Sequence, residues 1–446
     1  MTTPRGLLRS LVIMVWGTGG SILLGVCQSI AVARLLGPSG LAPYATTIAA
    51  VTIAAQLSDG GLANSYAYFG RERPGSLVRL TRLLLRHVGV CLLLATTVMG
   101  FAWWFDIAGT RSVLRSVSFA AVLLTLFGVT MAGRVMPVLV LAVGRYRAHA
   151  LLTNGAAALQ LAALLAAYAV AGPSWDVFVA AVAGAQLVAV AVQVMFVLRR
   201  HGQARPEAVS LSECYGFGLR IKWAEMMKFL SGRADLLVVA SALPARDVGL
   251  YSLALGLREF GMTPLRTYSG ILQNMLVDRR RAGFDDRILV LGSLMLQAAI
   301  STALSVGAVL TFPILLPLVY GAEYRGAAMP AAIALTSTIF LSIAGICWSV
   351  FNMRGEPGTT SAIVTVSGLS GPVLVYVLAR SLGLNGAALA SVASSALAAA
   401  LSVIWLVRRR GYTARDLPNA AKRLRELLRA VRVGTRTADP EAQAVV

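Results

Sequence analysis

Apolar runs of about 20 residues recur from one end of the chain to the other, separated by short polar stretches. That is the helical length needed to cross about 30 Å of hydrocarbon. The runs are continuous, unlike the alternation over about 10 residues that marks a barrel strand. The pattern predicts an all-α, polytopic membrane protein with twelve transmembrane helices. They cover residues 9–35, 43–69, 83–105, 112–143, 148–171, 175–198, 215–243, 248–276, 287–319, 326–352, 359–381 and 385–407. No soluble domain is inserted between them. The first run is too long for a signal peptide and leads straight into further runs, so it reads as the first span.

Basic residues give the spans an orientation. Alternate connections carry Arg5 and Arg9; Arg71, Arg73, Arg79, Arg82 and Arg86; Arg145 and Arg147; Arg199, Arg200 and Arg205; Arg279, Arg280, Arg281 and Arg287; Arg354; and Arg408, Arg409 and Arg410. The opposite connections carry few: Arg34, Arg111, Arg115, Arg246, Arg325 and Arg380. By the positive-inside rule both termini are expected in the cytoplasm, in a cell (cytoplasmic) membrane protein with an even number of spans.

Composition agrees with this picture. Hydrophobic residues make up 57% of the 446 and charged residues only 13%, too few to cover a water-soluble fold. The net charge of +21 would suggest nucleic acid in a soluble protein. In this chain it sits mostly in short loops suited to an anionic leaflet, so no nucleic acid is expected as a partner. Cys27, Cys91, Cys214 and Cys347 lie in or beside apolar runs without metal or redox spacing and read as small hydrophobes. No metal and no cofactor is expected.

The sequence also repeats. LLGPSGLAPYA after span one resembles ALPARDVGLYS after span seven, with Tyr44 aligned to Tyr251 at an offset of about 207 residues. FVLRRHG after span six resembles WLVRRRG after span twelve, with Gly202 aligned to Gly411 at about 209. Six spans per unit is even, so both halves would insert in the same direction, as two six-helix lobes around a central cavity. The expected division is 1–205, 206–412 and a tail over 413–446. In the tail, Ala421, Leu424, Leu427, Leu428 and Val431 share one helical face among basic neighbours. This predicts an amphipathic helix on the anionic inner leaflet, or else a basic tail that serves only orientation.

Ionisable residues inside the spans are the candidate chemistry. Each costs about 2.5–3.5 kcal/mol at a helix centre unless it faces a cavity or a partner. Span seven holds Arg220, Lys222, Glu225, Lys228, Arg233 and Asp235, spread over about half the helix circumference. Span eight holds Arg258, Glu259 and Arg266, span four Arg134, and span two Gln56 and Asp59 ahead of Gly60 and Gly61. The candidate substrate-binding cations are Arg134, Lys222, Lys228, Arg233, Arg258 and Arg266. Asp59, Glu225, Asp235 and Glu259 are coupling or structural acids. Cations, above all the planar fork of Arg, suit a diphosphate. The competing reading makes these residues internal pairs: Glu225 with Lys222 or Lys228, Glu259 with Arg266, and Arg233 with Asp235. Bends are expected at Gly19, Gly20, Gly60, Gly61, Pro137, Gly261 and Pro264.

The landmarks ARLLGPSGLAPYA (33–45), QLSDGGLANSYAY (56–68), GRADLLVVASALPARDVGLYSLALGLREF (232–260), LPLVYGAEYRGAA (316–328) and LGLNGAALAS (382–391) run the length of the chain. In that order they resemble the multidrug/oligosaccharidyl-lipid/polysaccharide flippase superfamily, in its polysaccharide-transporter (O-antigen-type flippase) branch. The resemblance implies a two-lobe flippase that moves a polyprenyl-diphosphate-linked oligosaccharide across the cytoplasmic membrane by alternating access, for surface polysaccharide biosynthesis. Polysaccharide polymerases or glycosyltransferases are the neighbouring proteins it suggests. Peptidoglycan-precursor flippases of the superfamily usually have two further spans, which this chain does not show.

Two other classes compete. An ion-coupled exporter of small molecules on the same fold needs an isolated membrane carboxylate, for which Asp59 and Asp235 are the candidates. A membrane enzyme needs a catalytic constellation. His87, His149 and His201 all lie on the side read as cytoplasmic, and no nucleophile motif or phosphate-cradling Gly loop accompanies them, so no enzyme is expected.

Overall fold

The structure, a computed structural model, describes residues 4–105, 117–142, 146–201, 209–281, 286–354, 356–410, 418–419 and 421–422. Among the described residues there are eleven α-helical elements and no strand. They are α1 (Pro4–Ser58), α2 (Leu62–Glu72), α3 (Leu77–Trp104), α4 (Val117–Ala142), α5 (Tyr146–Ala171), α6 (Trp175–His201), α7 (Leu211–Ala242), α8 (Ala245–Arg281), α9 (Arg287–Tyr320), α10 (Ala328–Met353) and α11 (Pro357–Arg410). The tail expected from 413 lies almost wholly outside the described residues.

Two of these elements are each a pair of helices. A straight helix of the 54 residues of α11 would be about 80 Å long, far more than a bilayer needs. It breaks at Gly383, whose φ of 59° and ψ of −141° suit only a residue without a side chain. The chain turns back there, because a Cβ on Gly386 would run into the carbonyl oxygen of Leu378. In a continuous helix eight residues would separate these positions by about 12 Å. Element α1 breaks in the same way at Gly37, with φ 64° and ψ 174°.

These breaks recover the expected spans. Eight helices among the described residues are long and apolar enough to cross a membrane. The broken α1 and α11 are among them and supply two spans each. The remaining pair, α7 and α8, fall outside the eight because they carry the charges singled out above. The total is the twelve of the hydropathy pattern, and the breaks fall in its gaps at 35–43 and 381–385. Gly60 and Gly61 also interrupt the helix, as expected. The helices continue through Gly19, Gly20, Pro137, Gly261 and Pro264.

The chain packs as two units. One comprises Met1–Phe229 with Ala245–Gly249, the other Leu230–Pro244 with Leu250–Val446. The division falls inside α7, while the polar stretch at 205/206 lies outside the described residues. The first unit is built around Leu62, Tyr66, Leu77, Leu84, Met131 and Leu139. The second has a core of Leu272, Leu276, Val290, Ile346, Phe351 and Leu406. Within it, Ser293, Gln297, Ser301 and Ser305 form a buried stripe at four-residue spacing on α9. Tyr268 bonds Ser293 (2.9 Å), Gln297 Nε2 donates to the Leu265 carbonyl (3.0 Å), and Ser301 bonds Ser342 (3.2 Å). Small polar residues of this kind join helices where the hydrophobic effect cannot. The outer surface is the reverse of a soluble protein's, with Leu93, Leu151, Leu310 and Ile314 each more than two-thirds exposed.

Candidate functional site

Each unit holds one cluster of the charges picked out from the sequence. In the first, α1 ends at Ser58 and the chain turns through Asp59, Gly60 and Gly61 into α2. Gly60 and Gly61 have φ of 59° and 79°. Asp59 Oδ1 accepts the Gly61 amide at 2.8 Å, the local bond that favours Asp at the head of such a turn. The backbone of α7 lies directly on this turn: a Cβ on Gly61 would stand 2.5 Å from the Gly218 carbonyl, and one on Gly218 2.6 Å from the Gly61 oxygen. One helical turn after Gly218 comes Lys222, whose ammonium donates to Asp59 Oδ1. The side chains of this pair are 2% and 7% exposed, which matters because a buried ion pair is costly to break.

Arg134 on α4 completes the group. Its Nε lies 3.8 Å from Asp59 Oδ2, an ion pair too long for a hydrogen bond, and that nitrogen has no hydrogen-bond partner among the described residues. Its guanidinium lies 5.6 Å from the centre of the Phe229 ring. Glu225 accepts from Asn64 Nδ2 at 2.9 Å. Lys228, half-buried one turn further on, lies within electrostatic reach of Glu225. The turn is braced from behind by His87 on α3, whose Nε2 bonds the Ser58 carbonyl (2.9 Å) while Nδ1 bonds the Tyr215 hydroxyl.

In the second unit, Asp235 on α7 is buried and its Oδ2 accepts from the Ser391 hydroxyl at 2.7 Å. Tyr251 on α8, fully buried, bonds the same hydroxyl at 3.3 Å. Asp235 Oδ1 has no hydrogen-bond partner among the described residues. Arg258, 3% exposed, donates to the Gly232 carbonyl at 3.2 Å and pairs with Glu259 at 3.6 Å, and its Nε has no hydrogen-bond partner among the described residues. Arg266 forks onto both oxygens of Glu259, at 2.7 and 3.3 Å. Arg233, half-buried, lies within electrostatic reach of Glu259 and of the like charges of Arg258 and Arg266.

The pairings differ from those expected in three places. Lys222 finds Asp59 on another element, not Glu225 beside it on the helix. Asp235 finds Ser391, not Arg233, since residues two apart on a helix do not face each other. Asp59 is not an isolated carboxylate. Asn64, Ser391 and Tyr251 were not anticipated, because an uncharged polar residue in an apolar run gives no signal until its partner is placed. The Glu259–Arg266 pair forms at its seven-residue spacing.

Cations outnumber carboxylates in these clusters, and among the described residues Arg134 and Arg258 each keep a buried Nε without a hydrogen bond. The fold has counterparts among solved structures. It is similar to a multidrug resistance MATE family transporter of the MOP superfamily in an inward-facing conformation (TM-score 0.64, 15% identity, 90% of this chain and 96% of the other). It is similar to the lipid II flippase MurJ in an inward closed conformation (TM-score 0.67, 10% identity, 96% and 94%). The Vibrio cholerae MATE transporter VcmN matches with a TM-score of 0.58 and 15% identity, over 91% and 97%. At these identities the likeness is one of fold. The sequence itself matches the polysaccharide biosynthesis protein family over residues 31–329, and the chain belongs to that family. No curated protein matches it. The superfamily resemblance of the sequence landmarks agrees with both findings, and the protein is a multi-pass membrane protein.

Proposed function

We propose that the protein is a flippase that carries a polyprenyl-diphosphate-linked oligosaccharide across the cytoplasmic membrane by alternating access, with both termini in the cytoplasm. The observation that carries the reading is the excess of positive charge at the clusters. Arg134, Lys222, Lys228, Arg233, Arg258 and Arg266 stand against Asp59, Glu225, Asp235 and Glu259, which leaves two positive charges. A diphosphate supplies the complement. Family membership supports the glycan part of the substrate.

In this reading Asp59 and Glu259 hold Lys222 and Arg266 in place, while Arg134 and Arg258 offer donors to phosphate oxygens. Translocation of a labelled lipid-linked glycan in proteoliposomes tests it. A charged hydrogen bond contributes about 1.5–3 kcal/mol, so Arg134→Ala and Arg258→Ala should each slow transport roughly tenfold to a hundredfold. Protein-independent movement, or undiminished rates in both variants, would overturn it.

A second reading, an ion-coupled exporter of small molecules, draws on one observation: the buried Oδ1 of Asp235, which has no hydrogen-bond partner among the described residues. It predicts that a deletion strain becomes drug-sensitive and that Asp235→Asn reproduces the defect, whereas the flippase reading predicts loss of surface polysaccharide.

A further inference from the structure

The two faces of α3 differ along its whole length. Leu77, Leu80, Thr81, Leu83, Leu84 and Val88 are buried in the first unit. The other face is open from end to end and changes character along its axis. It begins with Arg79, Arg82 and Arg86, all exposed. At about 100° per residue these three lie within about 60° of one another and span about 10 Å of the axis. The same stripe continues through Val90, Leu93 and Phe101, which are 57%, 69% and 59% exposed, and ends at Trp104, 70% exposed; Thr97, the exposed polar residue on it, turns its hydroxyl back to the Leu93 carbonyl at 2.9 Å. Trp103 and Phe105 stand exposed beside it.

Basic residues, then bare aliphatic surface, then an aromatic girdle is the profile of a helix face in contact with lipid from one headgroup layer to the other. The distances agree: Arg86 to Trp104 is about 27 Å along the axis, close to the hydrocarbon thickness. The basic end has few acids to neutralise it. Glu213 lies 3.8 Å from Arg73 and within electrostatic reach of Arg79. Arg82 and Arg86 make no hydrogen bond or ion pair among the described residues.

We propose that this face of α3 is a docking site for an acidic glycerophospholipid. Its phosphate sits on the guanidinium groups of Arg79, Arg82 and Arg86, and its acyl chains lie along Val90, Leu93 and Phe101. The ligand must have an anionic head joined to an apolar tail, because the arginines run directly into a mainly apolar surface on which the hydroxyls of Thr96 and Thr97 are tied to the backbone of their own helix. The site is independent of the transport reading, since none of these residues belongs to the two charge clusters.

The test is lipid retention by the purified full chain, measured by native mass spectrometry after exchange into phosphatidylglycerol or phosphatidylcholine of the same acyl composition. An arginine near an anionic head contributes about fivefold to binding, so wild type should prefer phosphatidylglycerol by at least about tenfold. The triple variant Arg79→Gln, Arg82→Gln, Arg86→Gln should lose that preference, and Arg82→Gln or Arg86→Gln alone should lose part of it. The two single variants remove exposed side chains that make no hydrogen bond or ion pair among the described residues, so the fold is not at risk. Lack of preference in wild type, or an unchanged preference in the triple variant, overturns the proposal. So does retention at these arginines of a polyprenyl diphosphate in place of phosphatidylglycerol.

Discussion

Replacing Lys222 by Met is the sharpest probe of the first cluster. The substitution keeps the length and apolar stem of the side chain and removes the ammonium. Breaking a buried ion pair by removing one partner costs about 3–5 kcal/mol, mostly because the other charge is stranded. Asp59 would not be wholly stranded. It keeps the Gly61 amide at 2.8 Å and Arg134 at 3.8 Å. With those survivors the expected loss falls to about 2–3 kcal/mol. Asp59→Asn should cost more, about 3–5 kcal/mol, because it leaves Lys222 and Arg134 as like charges with no anion between them. The double variant removes both members of the buried pair, so its cost should fall short of the sum by about 2 kcal/mol. That coupling is well above the average of about 0.6 kcal/mol for interhelical hydrogen bonds in membranes. Unfolding in mixed micelles with increasing SDS, followed by tryptophan fluorescence, measures all three. Costs that add to within about 0.5 kcal/mol would refute the reasoning, as would single variants indistinguishable from wild type.

Three further outcomes follow from the geometry. Gly218→Ala places a Cβ 2.6 Å from the backbone oxygen of Gly61, so it should destabilise by about 1–3 kcal/mol and weaken the Lys222–Asp59 pair with it; the same SDS titration reads this, and a neutral result would mean that the close approach is relaxed. Ser391→Ala takes away the hydroxyl that Asp235 and Tyr251 share and should cost about 1–3 kcal/mol, largely relieved when Asp235→Asn is added. Glu213, exposed at the start of α7, has its carboxyl held below the usual range by the amide and hydroxyl of Ser210, and then by Arg73 and Arg79. A depressed carboxylate stabilises above its ordinary value and loses that contribution as pH falls through the depressed one. Hydrogen exchange at residues 211–214 should therefore show Glu213→Gln less protected than wild type at pH 7, with the difference closing in acid; a difference that persists unchanged would count against it.

How much of this could be read from the chain depends on the range of the interaction. The twelve rods were legible, because the length of an apolar run and the thickness of a bilayer are set by the same physics. The Asp59–Gly60–Gly61 turn was legible as a break for a similar reason: its backbone bond spans two residues. Arg266 and Glu259 share a face of one helix, so wheel geometry alone brings them together. It could not say that Lys222 would leave its neighbour Glu225 for Asp59. That choice is made by the contact of Gly218 with Gly61, between elements more than 150 residues apart in sequence. One signal was present and overlooked. Ser210–Leu211–Ser212–Glu213 has the capping-box spacing, and its reciprocal bonds are formed: the Ser210 amide to Glu213 Oε2 at 2.7 Å, and the Glu213 amide to Ser210 Oγ at 3.1 Å. Read that way, the sequence places the start of α7 several residues before 215.

The repeated segments sharpen what the two halves share and where they part. At the offset of about 207 residues, the break at Gly37 corresponds to Pro244, where α7 gives way to α8. Gly172, with φ 69°, precedes the sixth helix as Gly383, with φ 59°, precedes the twelfth. The places where rods end have therefore kept residues that end helices. At the same offset, however, Asp59, Gly60 and Gly61 correspond to Arg266, Thr267 and Tyr268. The carboxylate has become a cation and the two glycines have gone. The structural consequence is direct: the first half breaks at this point into α1 and α2, while α8 continues as one helix of 37 residues. The charge also changes its manner of pairing. Asp59 binds across elements to Lys222, whereas Arg266 binds Glu259 on its own helix. A duplication that preserved its breaks has thus inverted the charge at one corresponding position. The two clusters are therefore not copies of one another, although the helix ends around them correspond.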